Sequence, residues 1–326
     1  MSLRRVLAVA VSAGLLCCAS AFAAPPTPTA APAAGNATTV APPVPMLWQV
    51  TRGENRVYLL GSFHLLLEND YPFHPDVDAA FEDAEKLIFE VHPDEVDDPA
   101  ILAAAMEKVA GYAPGQSFDT VVPAATREKL EALSQMAGQD PAALRESEPW
   151  MLSLGMSVGI AQALGFKGEH GMDKRLMGRA GESGKHVAGL ETLEFQLVAL
   201  DSVPYEEQVK GLDQMVSDMP KAVREMQELH ARWRQGDVAG LDRGMRAEMA
   251  EKTPVSYRLI NTDRNKAWLP QVEARLSAPN GDDTLVVVGA LHLLGKDGLV
   301  EMLRARGYDV QRICSACAPG TPDVRN

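Results

Sequence analysis

From about residue 46 to residue 311, short apolar runs alternate with longer stretches in which apolar residues recur every three or four positions. The short runs read as strands at 57–60, 87–91, 186–188, 285–288 and 308–311. Helical periodicity covers 75–85, 99–109, 123–137, 141–145, 150–164, 172–180 and 192–200, runs almost unbroken from 205 to 276, and returns at 298–306. Pro75, Pro99, Pro123 and Pro141 open four of these stretches, where a first-turn proline gives up no helical hydrogen bond. Strands spaced by helices predict an α/β (α+β) domain, a central mixed sheet flanked by helices, with 205–276 as a helical insertion. The mixed charges of the insertion read as solvated faces.

Two of the strand candidates exit into the same pattern, Gly-x-x-His. Val57-Tyr58-Leu59-Leu60 leads into Gly61-Ser62-Phe63-His64-Leu65-Leu66, and Leu285-Val286-Val287-Val288 leads into Gly289-Ala290-Leu291-His292-Leu293-Leu294. The copies align without a gap. Each is followed by a helix and another strand, so the sheet is expected to consist of two related halves. A histidine just past a strand end sits at the sheet rim, where α/β folds place their chemistry. Two such rims facing each other would bring His64 and His292 into one site. Two unrelated strand exits are the plainer alternative, but the chain has only seven histidines and two share this context.

Two acids stand in similar positions. Glu90 ends the run Leu87-Ile88-Phe89-Glu90-Val91, and a carboxylate after three apolar residues is costly unless paired, hydrated or metal-bound. Glu191 lies where a strand gives way to a helix, in Gly189-Leu190-Glu191-Thr192-Leu193-Glu194. Either acid could instead be a solvated strand-end group or a helix-capping partner. Histidine nitrogens with carboxylates form a donor set for a divalent metal such as Mn, Zn or Co, so His64, His292, Glu90 and Glu191 are the candidate ligands. Glu90 and Glu191 are also candidate catalytic groups, with Arg264 beside Asn265 and Trp268 as a group to orient a substrate carboxylate or an oxyanion. Asp173, before a helix in Gly168-Glu169-His170-Gly171-Met172-Asp173, could reach the site or cap that helix. Met215, Met219 and Met226 read as helix packing.

The N-terminus changes the picture of where the chain works. Arg4 and Arg5, an apolar run to Cys18 and Ala21-Phe22-Ala23 form a secretory leader over 1–23. A Pro/Ala-rich tether spans 24–45, the domain 46–313, and a tail with a Cys-x-x-Cys pair 314–326. Residues 150–166 are the most apolar later stretch, but three glycines and Ser153, Ser157 and Gln162 make it a buried helix of a soluble domain. No stable membrane insertion is expected once the leader is gone. The formal charge of −13 argues against nucleic acid or an anionic membrane as a partner. Leader cleavage leaves Cys314 and Cys317, expected to form a small disulfide in a secreted or periplasmic setting rather than a redox centre, since they follow the last strand and open no helix.

As an ordered set, the blocks resemble the TraB/PrgY/GumN family, which includes the Tiki-type metalloproteases. The matching blocks are 58–64, Phe89-Glu90-Val91, Gly171-Met172-Asp173, 189–194, Arg264-Asn265 and 288–295, extending through Asp297-Gly298-Leu299 to Arg306-Gly307-Tyr308-Asp309-Val310. The resemblance implies a fold similar to erythromycin-esterase-like and ChaN-like proteins. It also implies divalent-metal-dependent hydrolysis of a peptide or protein substrate, with His64, His292, Glu90 and Glu191 at the centre. A non-catalytic peptide- or ligand-binding protein, serving signalling or exopolysaccharide production, is the alternative.

Overall fold

The computed structural model describes residues 41–317, apart from 110 and 280. The expected leader, residues 24–40 of the tether and 318–326 of the tail lie outside the described residues. Residues 41–45 form no helix or strand, but they are tied down: Val44 N–H donates to the Arg234 carbonyl, and Arg234 donates to that of Ala41.

Six strands form one mixed sheet: β1 (Leu47–Arg52), β2 (Asn55–Ser62), β3 (Lys86–Val91), β4 (His186–Glu191), β5 (Thr284–Gly289) and β6 (Asp309–Ile313). Their order is β4-β3-β5-β2-β1-β6, and the four strands from β4 to β2 are mutually parallel. β1 runs antiparallel to both β2 and β6. The apolar runs of β2, β3 and β5 are buried on both faces, as parallel strands covered by helices should be.

β1 has no counterpart among the expected strands. Its Gln49, Thr51 and Arg52 dilute the apolar signal, and it enters the sheet through a two-residue turn, Gly53-Glu54, with Gly53 at φ +62°. The expected halves each exist as a strand–helix–strand crossover with parallel strands. β2, helix Pro75–Asp83 and β3 step over one strand; β5, helix Leu299–Ala305 and β6 step over two.

The helices make two cores. Phe81, Leu176, Trp268, Val272 and Leu303 pack with the sheet residues into the first. Leu102, Phe118, Leu130, Trp150, Leu197 and Leu212 form the second, which is built from helices around Val91 at the end of β3. The helical layer is therefore larger than the expected 205–276, because the helices between β3 and β4 belong to it. Helix Pro149–Ala163, from the most apolar stretch, buries Trp150, Met151 and Leu152 in that second core. Among the described residues no helix is long and apolar enough to cross a membrane. Cys314 and Cys317 form a disulfide, and Ser315 between them bonds Asp76 through both its N–H and its hydroxyl.

The helix that returns from the second core to the sheet, Asp263–Leu276, is capped by a buried side chain. Asn55 Nδ2 donates to the carbonyls of Leu276 (3.1 Å) and Ala278 (2.9 Å). Asn55→Ala should lower unfolding free energy by about 1–3 kcal/mol, since buried carbonyls lose their donor. Urea denaturation measures this, and a loss below about 0.5 kcal/mol would show that the cap carries no stability.

Candidate active site

The parallel strands deliver their chemistry at one rim. β2 and β5 are direct neighbours, with Gly61 paired to Val288 and Ser62 to Gly289. The two Gly-x-x-His motifs therefore lie side by side on the same rim rather than on facing rims. Each motif's glycine makes room for the other unit. A Cβ at Gly61 would stand 3.3 Å from the Ala290 Cα, and one at Gly289 would stand 3.2 Å from Glu90 Oε1 and 3.4 Å from His64 Nε2. The missing side chain of Gly289 leaves a cradle on which Glu90, His64 and, at 3.8 Å, the His292 ring converge.

His64 follows β2 in a loop, and its side chain is 45% exposed. Its Nδ1 pairs with Asp173 Oδ2 at 2.8 Å, which leaves Nε2 for the cradle. Asp173 thus reaches the site and does not cap its helix, Met172–Ser183. The negative charge of the hydrogen-bonded Asp173 pushes the His64 pKa up to about 9. The arrangement is that of a carboxylate orienting an imidazole.

His292 is the opposite case. Asn265 Nδ2 donates to the carbonyls of Asp297 (2.8 Å) and His292 (3.3 Å), so its Oδ1 accepts from His292 Nδ1 at 2.7 Å. Burial pulls the His292 pKa down to about 3, so the ring is neutral with its proton on Nδ1. The Nε2 lone pair faces Arg264 Nη1 at 3.2 Å.

Arg264 is 4% exposed and spends every N–H on the protein. Nε donates to Glu191 (3.0 and 3.1 Å), Nη1 to the Ile260 carbonyl (3.0 Å) and His292, and Nη2 to Glu90 Oε2 and Glu191 Oε1, both at 2.6 Å. In this arrangement it fixes three other site residues and has no donor left for a substrate. A π-helical turn over Arg258–Thr262 lies just before it and aims its side chain at the rim.

Both Glu191 oxygens are engaged, one by Arg264 and the other by Arg264 and Trp268 Nε1 (2.9 Å). Glu191 sits behind the guanidinium, and burial outweighs Arg264 to raise its pKa. Glu90 faces the cradle. Its Oε2 accepts from Arg264 and Gln196 (2.9 Å), and its Oε1 accepts the Gly289 N–H at 2.7 Å. Burial pushes its pKa up, but Arg264, His292, His64 and that N–H outweigh it and hold the carboxyl well below the usual range.

Among the described residues no group of three or more His, Cys, Asp or Glu is spaced to hold a metal ion. His292 Nε2 lies 3.8 Å from Glu90 Oε1, and its lone pair is taken up by Arg264 Nη1 at 3.2 Å. The donors nonetheless suit a divalent ion in kind, and two of them, His64 Nε2 and Glu90 Oε1, meet at one cradle. The carboxylates of Glu90, Glu191 and Asp173 also outnumber the one permanent cation, Arg264.

Of the other five histidines, His170 ends the short helix Gly168–His170, with its carbonyl accepting from the Tyr71 hydroxyl, and four have ordinary tasks or lie apart. His74 and His92 cap helices through Nδ1, and His186 is exposed at the start of β4. His230 pairs with the buried Asp70 (2.9 Å) and lines the cavity above the rim. Gln196 and the cavity-facing His230 had no sequence signal, since only helix packing brings them there. Met215 and Met226 also face the cavity instead of packing in a core.

The His64–Asp173 pair makes a testable statement about proton affinity. Because the folded His64 pKa exceeds the unfolded value near 6.5, its stabilising contribution is complete below that pH and disappears as pH rises through about 9. In metal-free protein, Asp173→Asn should bring the His64 titration down toward 6.5. The NMR shift of the His64 ring measures it, and an unchanged midpoint would remove Asp173 as the cause.

The TraB/PrgY/gumN family matches residues 46–312, which span both motifs and all of the sheet but the last residue of β6. The uncharacterized protein YbaP of Escherichia coli (strain K12) is 25% identical over 252 residues, covering 77% of this chain and 89% of YbaP. YbaP of Shigella flexneri matches to the same extent, and an uncharacterized protein of Treponema pallidum (strain Nichols) is 22% identical over 284 residues, 80% of each chain. No solved structure matches. With its motif pair, its rim acids and the four parallel strands inside the matched region, the chain belongs to the TraB/PrgY/gumN family.

Proposed function

We propose that this protein is a secreted hydrolase that cleaves an amide or other acyl bond, using a divalent ion held at the Gly289 cradle by His64, Glu90 and His292. The observation that carries the reading is the convergence of His64 Nε2 and Glu90 Oε1 on the space where Gly289 lacks a side chain. When bound, such an ion lowers the pKa of a water and polarises a carbonyl. His64 is presented by Asp173 through Nδ1 with Nε2 toward the cradle, whereas His292, held by Asn265 through Nδ1, turns its Cδ2 to the cradle and its Nε2 to Arg264. His292 would exchange its hydrogen bond from Arg264 for the ion. Arg264, itself fixed by Glu191, acts as a positioning residue that keeps Glu90 ionised and fixed in rotamer. The disulfide Cys314–Cys317 supports an oxidising compartment, in keeping with the leader read over 1–23.

A binding protein without turnover is the alternative, and the same site would serve it. Metal content by mass spectrometry and affinity by calorimetry test the ion on the mature chain, on His64→Ala and on His292→Ala. Stoichiometric Mn, Zn or Co in wild type, lost in both folded variants, is the expected result. No binding of any of the three by folded wild type would end the metal reading. Hydrolysis screened on the loaded protein then separates enzyme from binder.

The pH dependence has a definite sign. His64 must give up a proton to ligate, so affinity should rise about tenfold per pH unit between 7 and 9 and then level off. Calorimetry at pH 7 and 8, in buffers of different ionisation enthalpy, should show about one proton released. A pH-independent affinity would remove His64 from the ligand set.

A further inference from the structure

Between the sheet rim and the second core lies a cavity of about 650 Å³, within the range of small-molecule sites. Its sheet side carries the polar cluster. Its helical side is formed by residues such as Ile160, Leu229, Met177, Met215, Met226 and Met245. Four of the chain's 14 methionines line this one space, which gives a wall of flexible, polarisable side chains that adapts to a ligand without a fixed shape.

The few polar side chains on the helical side are committed to the protein. Ser157 Oγ donates to the Ser153 carbonyl, His230 Nε2 pairs with Asp70, Glu225 pairs with Lys221, and Gln196 donates to Glu90. Two cavity-lining polar atoms are buried without a partner, Ser62 Oγ and Asp173 Oδ1, and both belong to the rim beside His64. A peptide drawn into this space would bring an N–H and a carbonyl per residue into a wall with little to offer them. An alkyl chain would bring none, and each methylene would gain from burial.

From this we infer that the acyl part of the substrate is a long alkyl chain, seated against the methionine wall with its carbonyl at the Gly289 cradle. This rests on the hydrolase reading above. Water oxygen bonds to the acyl carbon, the carbon–nitrogen or carbon–oxygen bond breaks, and a water proton passes to the leaving nitrogen or oxygen. The products are a fatty acid and an amine or alcohol. The polar leaving group lies on the His64 side, where the imidazole is exposed.

The test uses the mature, metal-supplemented protein with two series of substrates, p-nitrophenyl esters and N-acyl amino acids, from four to sixteen carbons. Displacement of a fluorescent fatty acid by palmitate is measured alongside. The expected result is a rise in kcat/KM of about tenfold or more from four to twelve carbons in at least one series. Which series responds tells ester from amide. Met226→Trp, checked for fold by circular dichroism, should reduce the twelve-to-four ratio about tenfold by filling the wall. Turnover of peptides or short acyl groups with no gain from chain length would overturn the alkyl-chain inference and leave the hydrolase standing. Palmitate binding with no turnover in either series would keep the chain site and sink the hydrolase. Absence of both binding and turnover of long chains in the wild type overturns the inference, whatever the variant does.

Discussion

The parallel pairing of β2 with β5 is the constraint on which the rest depends. It sets Ser62 against Gly289, so two strand exits far apart in sequence finish on the same rim and one residue out of step. Close pairing of this kind demands small residues at the exits. Gly61 admits the backbone of Ala290, and Gly289 admits the Glu90 carboxylate and the His64 ring. The glycines are therefore part of the site's shape as well as of its turns. β3 and β4 extend the same rim and add an acid each, so four parallel strands contribute to one cluster.

Electrostatics then sorts like residues into unlike states. Two histidines from equivalent motifs differ because one meets a carboxylate and the other an amide. His64 is held toward its charged form by Asp173, whereas His292 is buried beside Asn265 and stays neutral. Two rim acids differ for a similar reason. Glu90 gains a backbone N–H and the charges of Arg264 and the histidines, while Glu191 has only Arg264 and Trp268 to set against its own burial and the nearby Glu90 charge, so burial prevails. Arg264 joins the acids and His292 into a single rigid unit, since shifting any one of them breaks a bond to the guanidinium.

Much of this was legible in the chain because strand exits carry local signals. An apolar run, a glycine and a histidine are readable in ten residues, as is a carboxylate after three apolar positions. The order Glu90, Glu191, Arg264 and His292 could be named; their mutual bonding could not, since nothing local tells that Arg264 faces Glu191 across 73 positions. β1 escaped because a partly polar edge of the parallel set has a weak period. The cavity wall was illegible for a different reason. Met215 and Met226 have the same helical spacing whether they fill a core or line a void, and only the separation of the two cores decides which.

The π-helical turn at Arg258–Thr262 ties the site to chain length in a way that composition does not disclose. A π turn holds one more residue than the α turn whose place it takes. Removing one residue there would let the helix close as ordinary α, at the cost of rotating everything before it by about 100° relative to Arg264. The helical layer and the rim could then not both keep their partners. That turn acts as a ruler between the two cores, and its tolerance for length changes should be far lower than that of the solvent-facing helices around it.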